Sequence, residues 1–189
     1  MDTIRLATWI NAPVERCFLL SLSIDLHVAS TRRSEERAIA GVTSGLIGEG
    51  ETVTFRARHY GMRLHTSRVE NLRPYSHFRD VMIEGSFMRF EHDHHFATMD
   101  DGTRMRDEIR FIAPWGPIGR ALAKRRLKDL LRERNSIIKK VAESEEWKKY
   151  LAGGVVGRVA ALWDAPPRER DSGGLLGNSR IALSGQTNA

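Results

Sequence analysis

Between residues 51 and 113 the chain alternates apolar and polar residues in short runs separated by turn residues, and this pattern constrains the fold most strongly. Successive side chains of a strand point to opposite faces, so the alternation predicts strands with one buried face. The turns between the runs are short, and Asp101-Gly102 suits the positive φ of a tight hairpin. Strands joined in this way predict an antiparallel meander and exclude a doubly wound parallel sheet.

Helical patterns flank the meander. Residues 14–25 carry apolar side chains three and four positions apart, and Pro13 is well placed to begin a helix there. The strand pattern ends at Pro-Trp-Gly-Pro, residues 114–117. The longest helix is predicted over residues 118–147, because an apolar stripe runs from Leu127 to Val141. The predicted strands cover residues 4–10, 38–42, 52–60, 63–71, 78–84, 87–98 and 104–113.

One long helix is the only predicted element that can cover a face of this sheet. The expected fold is therefore α+β, with a curved antiparallel sheet of six to seven strands wrapped around the C-terminal helix. Such an arrangement can leave a cavity between sheet and helix. The folded domain is expected over residues 1–147, followed by a short helical appendage over 148–163. Residues 164–189 are rich in Pro, Arg, Gly and Ser and are expected to be disordered.

Composition excludes several classes of protein. The chain has 1 cysteine, Cys17, which excludes an internal disulfide framework and a cysteine-based zinc cluster. No apolar run reaches the roughly 20 residues needed to span a bilayer. The first residues, Met-Asp-Thr-Ile-Arg-Leu, lack the pattern of a secretory signal peptide. A reduced, cytoplasmic protein is therefore expected.

The positive charge is concentrated in the predicted C-terminal helix. The chain of 189 residues has a formal net charge of +6, and nine basic but only two acidic residues lie between positions 120 and 140. The simplest interpretation is a solvated outer helix face. The alternative is a docking face, over residues 118–141, for an anionic membrane or an acidic protein. Nucleic acid is not an expected partner, because no recognised nucleic-acid motif and no interleaved aromatic residues are present.

Several motifs between residues 2 and 147 are similar to those of one superfamily. They are NAPVERCF (11–18), RHYG (58–61), PYSHFRD (74–80), GSF (85–87), HDHHF (92–96), GTRMRD (102–107) and PWG (114–116). On these motifs the chain resembles the SRPBCC superfamily, with its START-like helix-grip fold, and more closely the bacterial polyketide cyclase/dehydrase-type ligand-binding domains. Ser86 departs from the Gly-Pro-Phe that some relatives show at this turn.

The resemblance implies a helix-grip domain that binds a bulky hydrophobic small molecule, such as a lipid, a polyketide or an isoprenoid-like compound. It supplies no catalytic motif, although a minority of members catalyse cyclisation, dehydration or hydrolysis. The expected ligand site is the cavity between the sheet and the C-terminal helix. No cofactor is expected. A cyclase/dehydratase-type enzyme that uses the same cavity is an alternative hypothesis.

The parity of the strands places polar side chains among the apolar ones on the inner face. His92 and His94 alternate with apolar residues in one strand, Asp107 does so in the next, and His59 continues the apolar face of residues 53–57. The candidate polar ligand contacts are therefore His59, His92, His94 and Asp107. The candidate apolar contacts are Phe55, Leu64, Phe90, Phe96, Met105, Ile109, Leu127 and Leu131.

Three hypotheses fit the inward polar residues. They are paired core groups, as burial alone requires, or they orient a ligand in an apolar pocket, or His92, His94 and Asp107 perform acid–base catalysis. Zinc on the His92 and His94 pair, with Asp107 or His59 as third ligand, is a further option. Alternating histidines also fit a pocket lining, and no metal is expected. Asp80 receives no role, because its strand can be read in either register.

Overall fold

The computed structural model describes residues 1–31, 36–58 and 62–151. Along the chain, these residues form one strand, two helices, six further strands and two final helices. The strands are β1 (Asp2–Ile10), β2 (Arg37–Gly41), β3 (Thr52–Arg58), β4 (Met62–Arg73), β5 (His77–Glu84), β6 (Arg89–Met99) and β7 (Gly102–Ile112). The helices are α1 (Val14–Leu22), α2 (Ile24–Ser30), α3 (Gly116–Ala142) and α4 (Trp147–Leu151).

The strands form one 7-stranded sheet in the order β1-β7-β6-β5-β4-β3-β2. All six neighbouring pairs are antiparallel. The strands β2 to β7 are the predicted meander, and the N-terminal strand β1 extends it beside β7. The predicted α+β architecture, an antiparallel sheet with a long C-terminal helix, is confirmed.

The C-terminal half of α3 packs on the sheet and on α1. Leu131 belongs to a cluster with Ile4, Ile109 and Phe111, and Ile138 lies in the larger core. Removing such side chains from water contributes about 25 cal/mol for each Å² of apolar surface. Among the described residues, no helix combines the length and the apolar composition that a membrane crossing requires.

The helix predicted over residues 14–25 is divided in two at Ser23. Ser23 has extended backbone, with φ −75° and ψ 114°, and pairs with Leu46 in an isolated bridge. Its Oγ accepts a hydrogen bond of 3.3 Å from the backbone N–H of Leu26. The serine therefore caps the start of α2, as short polar side chains commonly do, and the change of direction sets α2 apart from α1.

The long helix ends at Ala142, five residues before its predicted end. The Oγ of Ser144 donates to the carbonyl of Val141 at 3.3 Å and accepts from the N–H of Glu146 at 3.2 Å. A serine side chain that bonds nearby backbone groups competes with helical hydrogen bonds. A turn follows, and α4 then brings Leu151 into the main core. The predicted appendage beyond residue 151 and the predicted tail lie outside the described residues.

Candidate functional site

A cavity of about 280 Å³ lies between the inner face of the sheet, which is the face towards α3, and the helices α2 and α3. Most of its wall is apolar, with contributions from Ile24 of α2, Phe55 of β3, Phe90 of β6 and Leu127 of α3. Phe87, in the turn between β5 and β6, completes this wall and contacts Phe90, with ring centroids 5.4 Å apart. The apolar surface fits a small-molecule site rather than a channel for water.

The charged or titratable side chains of the cavity wall are His27, Glu36, His65, Asp80, His92 and Arg134, and Ser21, Ser23, Thr31 and Ser67 add hydroxyl groups. Strand register brings two of them together, because Asp80 of β5 is the cross-strand partner of His92 of β6. His65 reaches the same face through its pairing with Phe55. The wall is therefore largely apolar, with Asp80 and His92 at a polar end of the cavity, and we call the group of Asp80, His92, His94 and Asp107 the inner cluster.

Asp107 is the centre of the inner cluster and is fully buried. Its Oδ1 lies 2.9 Å from Nε2 of His92 and 2.8 Å from Nδ1 of His94. The His92 contact is a hydrogen bond, whereas the His94 contact is an ion pair in which Nδ1 makes no hydrogen bond. Nδ2 of Asn135 donates to the other carboxylate oxygen at 2.7 Å. Arg134 adds a positive charge, with Nη1 3.9 Å from Oδ1.

His94 lies between two carboxylates. Its Nε2 is 3.0 Å from Oδ2 of Asp80, on the side opposite to Asp107. Its ring stacks on Phe78, with centroids 4.2 Å apart, and the His92 ring centroid is 3.8 Å away. His94 is fully buried, so both of its nitrogens depend on these protein partners rather than on water.

The inner cluster shifts the pKa values of its members in opposite directions. Burial alone would raise the pKa of Asp107, but the contacts with His92 and His94 hold that pKa well below its usual value. Burial lowers the pKa of His94, yet Asp107 and Asp80 outweigh burial and raise that pKa overall. Burial and the charge of His94 lower the pKa of His92 to about 4. The cluster therefore favours a proton on His94 over one on His92, and His92 is neutral at neutral pH.

The pKa of Asp80 is also lowered by a histidine neighbour. Burial would raise the pKa of its carboxyl group, but the hydrogen bond with His94 and its charge outweigh that effect and lower the pKa. Asp80 is accordingly ionised at neutral pH. Its side chain is 30% exposed and lines the cavity, so a negatively charged oxygen meets the cavity beside the neutral ring of His92.

Neutral His92 presents an acceptor. A carboxylate only accepts hydrogen bonds, so the ring carries its hydrogen on Nε2, where it donates to Asp107. Within the described ranges, Nδ1 of His92 has no hydrogen-bond partner. Because His92 lines the cavity, a hydroxyl or amide group of a ligand can donate to this nitrogen.

The structure separates the predicted site residues into several settings. Phe55, Phe90, His92 and Leu127 line the cavity, and His94 and Asp107 lie directly behind His92. Phe96, Met105, Ile109 and Leu131 are core residues behind the cavity wall. His59 lies outside the described residues.

Leu64 is the residue whose predicted position needs correction. It is 44% exposed and pairs with Arg56, whereas its neighbour His65 pairs with the inward Phe55. Alternation along β4 therefore points Leu64 away from the cavity. His65 takes the inner position, where Oγ of Ser67 lies 2.8 Å from its Nε2.

Sequence reasoning missed Asp80, Arg134 and the contribution of α2. Phe78 carried a usable signal for Asp80, because a large aromatic residue two positions earlier marks the buried face of β5. The charge pattern of the long helix groups Arg134 with its solvated residues, yet Nη2 of Arg134 donates to the carbonyl of Ser21 at 3.2 Å. No sequence signal indicates that the chain after Ser23 turns towards the cavity.

Comparison with known proteins identifies the fold. Neither protein-family models nor curated proteins match the chain. TTHA0849 from Thermus thermophilus is 18% identical, with a TM-score of 0.56 over 72% of this chain and 97% of that one. CV1439 from Chromobacterium violaceum is 14% identical, with a TM-score of 0.60 over 76% and 98%. Major latex-like protein 151 from Panax ginseng is 12% identical, with a TM-score of 0.55 over 76% and 98%.

Identities this low show the fold alone. The covered shares include nearly the whole of each solved structure, so the likeness extends over a complete domain rather than a fragment. The chain therefore has the fold of these structures, an antiparallel sheet packed on a long C-terminal helix, which confirms the helix-grip fold that the motifs predicted. Acid–base catalysis by the inner cluster stays a prediction.

Proposed function

We propose that this helix-grip protein binds a mainly apolar small molecule in the cavity between its sheet and α3. The observation that carries the proposal is the largely apolar wall of the cavity, with a small number of charged or titratable side chains on it. The volume of about 280 Å³ is close to the lower end of the range for small-molecule sites, about 300–1,000 Å³. A compact polyketide- or isoprenoid-like ring system suits this volume better than a long acyl chain.

The polar end supports a ligand that carries an oxygen-containing group. Nδ1 of His92 is an acceptor at the cavity wall, and the guanidinium of Arg134 places a positive charge nearby. Burial of apolar surface supplies affinity, at about 25 cal/mol per Å², whereas a few fixed polar groups supply orientation. A hydroxyl group that donates to His92 is the simplest complement to this end of the cavity.

A fluorescence titration tests the proposal with two variants of one helix. The probe is 1-anilinonaphthalene-8-sulfonate, a compact apolar molecule with one anionic group. Leu127→Trp places an indole in the cavity and is expected to weaken probe binding at least about tenfold, because the added ring occupies the ligand volume. Leu122→Trp makes the same change at a position that is 63% exposed, and probe binding is expected to stay unchanged.

Thermal unfolding by circular dichroism accompanies the titration, because loosely folded proteins also bind this probe. Equal loss of probe binding in both variants, or no loss in either, would contradict the proposal. Native mass spectrometry of freshly purified protein adds an independent readout: a co-purified apolar compound that is reduced in Leu127→Trp would support cavity binding.

A second candidate function is docking on an anionic membrane through the N-terminal half of α3. The observation that favours it is that Ile118 is 79% and Leu122 is 63% exposed on this helix. Basic residues surround them, and two of these, Arg120 and Lys124, lie 3.3 and 3.5 Å from Asp2. Exposed apolar side chains among basic ones are typical of segments that enter the headgroup region of a charged bilayer.

Vesicle flotation tests the docking function. The protein is expected to float with vesicles that contain phosphatidylserine, to float less as salt is raised, and to stay unbound with purely zwitterionic vesicles. Ile118→Ser is expected to weaken flotation, whereas Ile39→Ser, at a position 43% exposed on the edge strand β2, serves as the matched control. Absence of flotation at low salt would remove this candidate.

A further inference from the structure

Strands β5 and β6 carry a group of histidine and aspartate side chains on each face. The group on the outer face, away from α3, consists of His77, Asp93 and His95. The group on the inner face consists of Asp80, His92 and His94. We propose that the inner group binds a divalent first-row transition-metal ion, such as Zn²⁺ or Fe²⁺, at the polar end of the cavity.

The ligand atoms are already close together. One such atom from each of Asp80, His92 and His94 lies within 4.8 Å of the other two. Nε2 of His94 and Oδ2 of Asp80 are 3.0 Å apart. In a tetrahedral site with metal–ligand bonds of about 2.0–2.1 Å, ligand atoms are about 3.3 Å apart. Small side-chain movements therefore suffice to place all three on one ion.

Asp107 fits the position behind the metal ligands. It contacts Nδ1 of His94 and Nε2 of His92, so Nε2 of His94 and Nδ1 of His92 are the nitrogens left for an ion. Histidines that bind metals usually give their second nitrogen to a carboxylate or carbonyl, which fixes the orientation of the ring. Asn135 holds Asp107 in turn, through a hydrogen bond of 2.7 Å.

The charges of the inner face also suit a cation. Within the described ranges, the guanidinium near the carboxylates of Asp80 and Asp107 is that of Arg134, whose Nη1 is 3.9 Å from Asp107. One buried and one partly buried carboxylate require compensating positive charge. A metal ion held by Asp80, His92 and His94 supplies such a charge.

The position beside the cavity indicates what kind of metal site this is. Two imidazoles and one carboxylate leave at least one coordination position for another ligand. Because Asp80 and His92 line the cavity, the open position faces the space where a small molecule would lie. With an ion on Nδ1 of His92, the ligand oxygen binds the ion rather than that nitrogen. The chemical class that fits the open position is an oxygen donor, such as an enolate, a catecholate or a carboxylate, on an otherwise apolar compound.

The outer group serves as an internal control for metal binding, because it has the same residue types as the inner group. The oxygens of Asp93 already accept hydrogen bonds of 2.7 Å from both Arg79 and Arg110. Nε2 of His77 adds a contact of 3.0 Å. A carboxylate held by two guanidinium groups is a poor ligand, because binding an ion there requires breaking both ion pairs. Metal binding is therefore expected on the inner face alone.

The test is a titration of the full chain with Co²⁺ and Zn²⁺ after treatment with a chelator. Visible absorption of Co²⁺ and calorimetry with Zn²⁺ are expected to show one equivalent bound. Asp80→Asn is expected to weaken binding at least about tenfold and Asp107→Asn about 10–100-fold. His95→Gln, which changes only the outer group, is expected to leave both the affinity and the Co²⁺ spectrum unchanged.

Failure of the unmodified protein to bind one equivalent of either ion overturns the proposal without any variant. Binding that survives in Asp80→Asn and is lost in His95→Gln also overturns it, because the ion then sits on the outer face. Circular dichroism establishes that each variant is folded. Metal binding does not depend on the apolar cavity being a ligand site, and probe binding by the chelator-treated protein tests that function separately.

Discussion

Asp107 shows how one residue organises the polar end of the cavity. Its carboxylate contacts His92, His94 and Asn135, so a single side chain of β7 connects β6 to α3. A buried carboxylate without partners is strongly unfavourable. The three contacts make burial of Asp107 possible, and Asp107 in turn determines which nitrogen of each histidine remains for other partners.

Replacing Asp107 is expected to reduce stability in proportion to the charge left unpaired. Asp107→Ala leaves His94 and Arg134 without their shared carboxylate and is expected to lower the free energy of unfolding by about 3–5 kcal/mol. Asp107→Asn keeps the shape and one acceptor oxygen, and is expected to cost less. Urea unfolding followed by circular dichroism measures both. A loss below about 1 kcal/mol for Asp107→Ala would contradict this role for the carboxylate.

Cys17 is a core residue rather than a reactive thiol. It has no exposed surface, and burial raises the pKa of its thiol. Because only the thiolate reacts with disulfide reagents, native protein at pH 8 is expected to react with 5,5′-dithiobis(2-nitrobenzoate) at least about tenfold more slowly than protein unfolded in urea. Equal rates in the native and unfolded states would show that α1 does not protect this position.

At the scale of the element, α3 has two halves with different roles. Ile138, 1% exposed, packs in the core, whereas Leu122, 63% exposed, contributes little to folding. Ile138→Ala is expected to lower the free energy of unfolding by about 2–5 kcal/mol, because it removes buried apolar surface and leaves a cavity. Leu122→Ala is expected to change it by less than about 0.5 kcal/mol. Similar losses in the two variants would mean that α3 packs differently.

Alternation within β6 and β7 predicted the inward positions of His92, His94 and Asp107, because large apolar residues occupy the neighbouring positions of the same parity in each strand. The same reasoning failed for Leu64 and left Asp80 undecided. Polarity alone would bury a leucine and expose an aspartate, but Leu64 is exposed and Asp80 faces inward. Their faces are assigned by the pairing of β4 with β3 and of β5 with β6. Register depends on pairing between distant segments, which a single strand does not encode.

The ends of the helices were the least predictable part of the elements. Residues 14–25 and 118–147 have continuous apolar periodicity, and both predicted helices are interrupted in the structure. At each break a serine, Ser23 or Ser144, bonds a nearby backbone group. Many serines sit within helices without breaking them, so the residue type alone does not mark the boundary.

At the scale of the whole molecule, the fold was predictable because few topologies satisfy the pattern of elements. A meander of strands followed by one long amphipathic helix leaves a sheet packed on that helix as the main solution. The cavity was predictable only in outline. Its polar end combines β4, β5, β6 and α3, and its second helical wall is α2, an arrangement that depends on how the elements pack together.

The most direct test of the central claim, an apolar hollow between sheet and helices, is a crystal structure of the protein under xenon pressure. Xenon enters dry apolar cavities of about 150 Å³ or more. The predicted result is xenon density bounded by Phe55, Phe90 and Leu127, with the inner cluster at one end. An interior that is packed solid between these three side chains, without xenon, would contradict the claim.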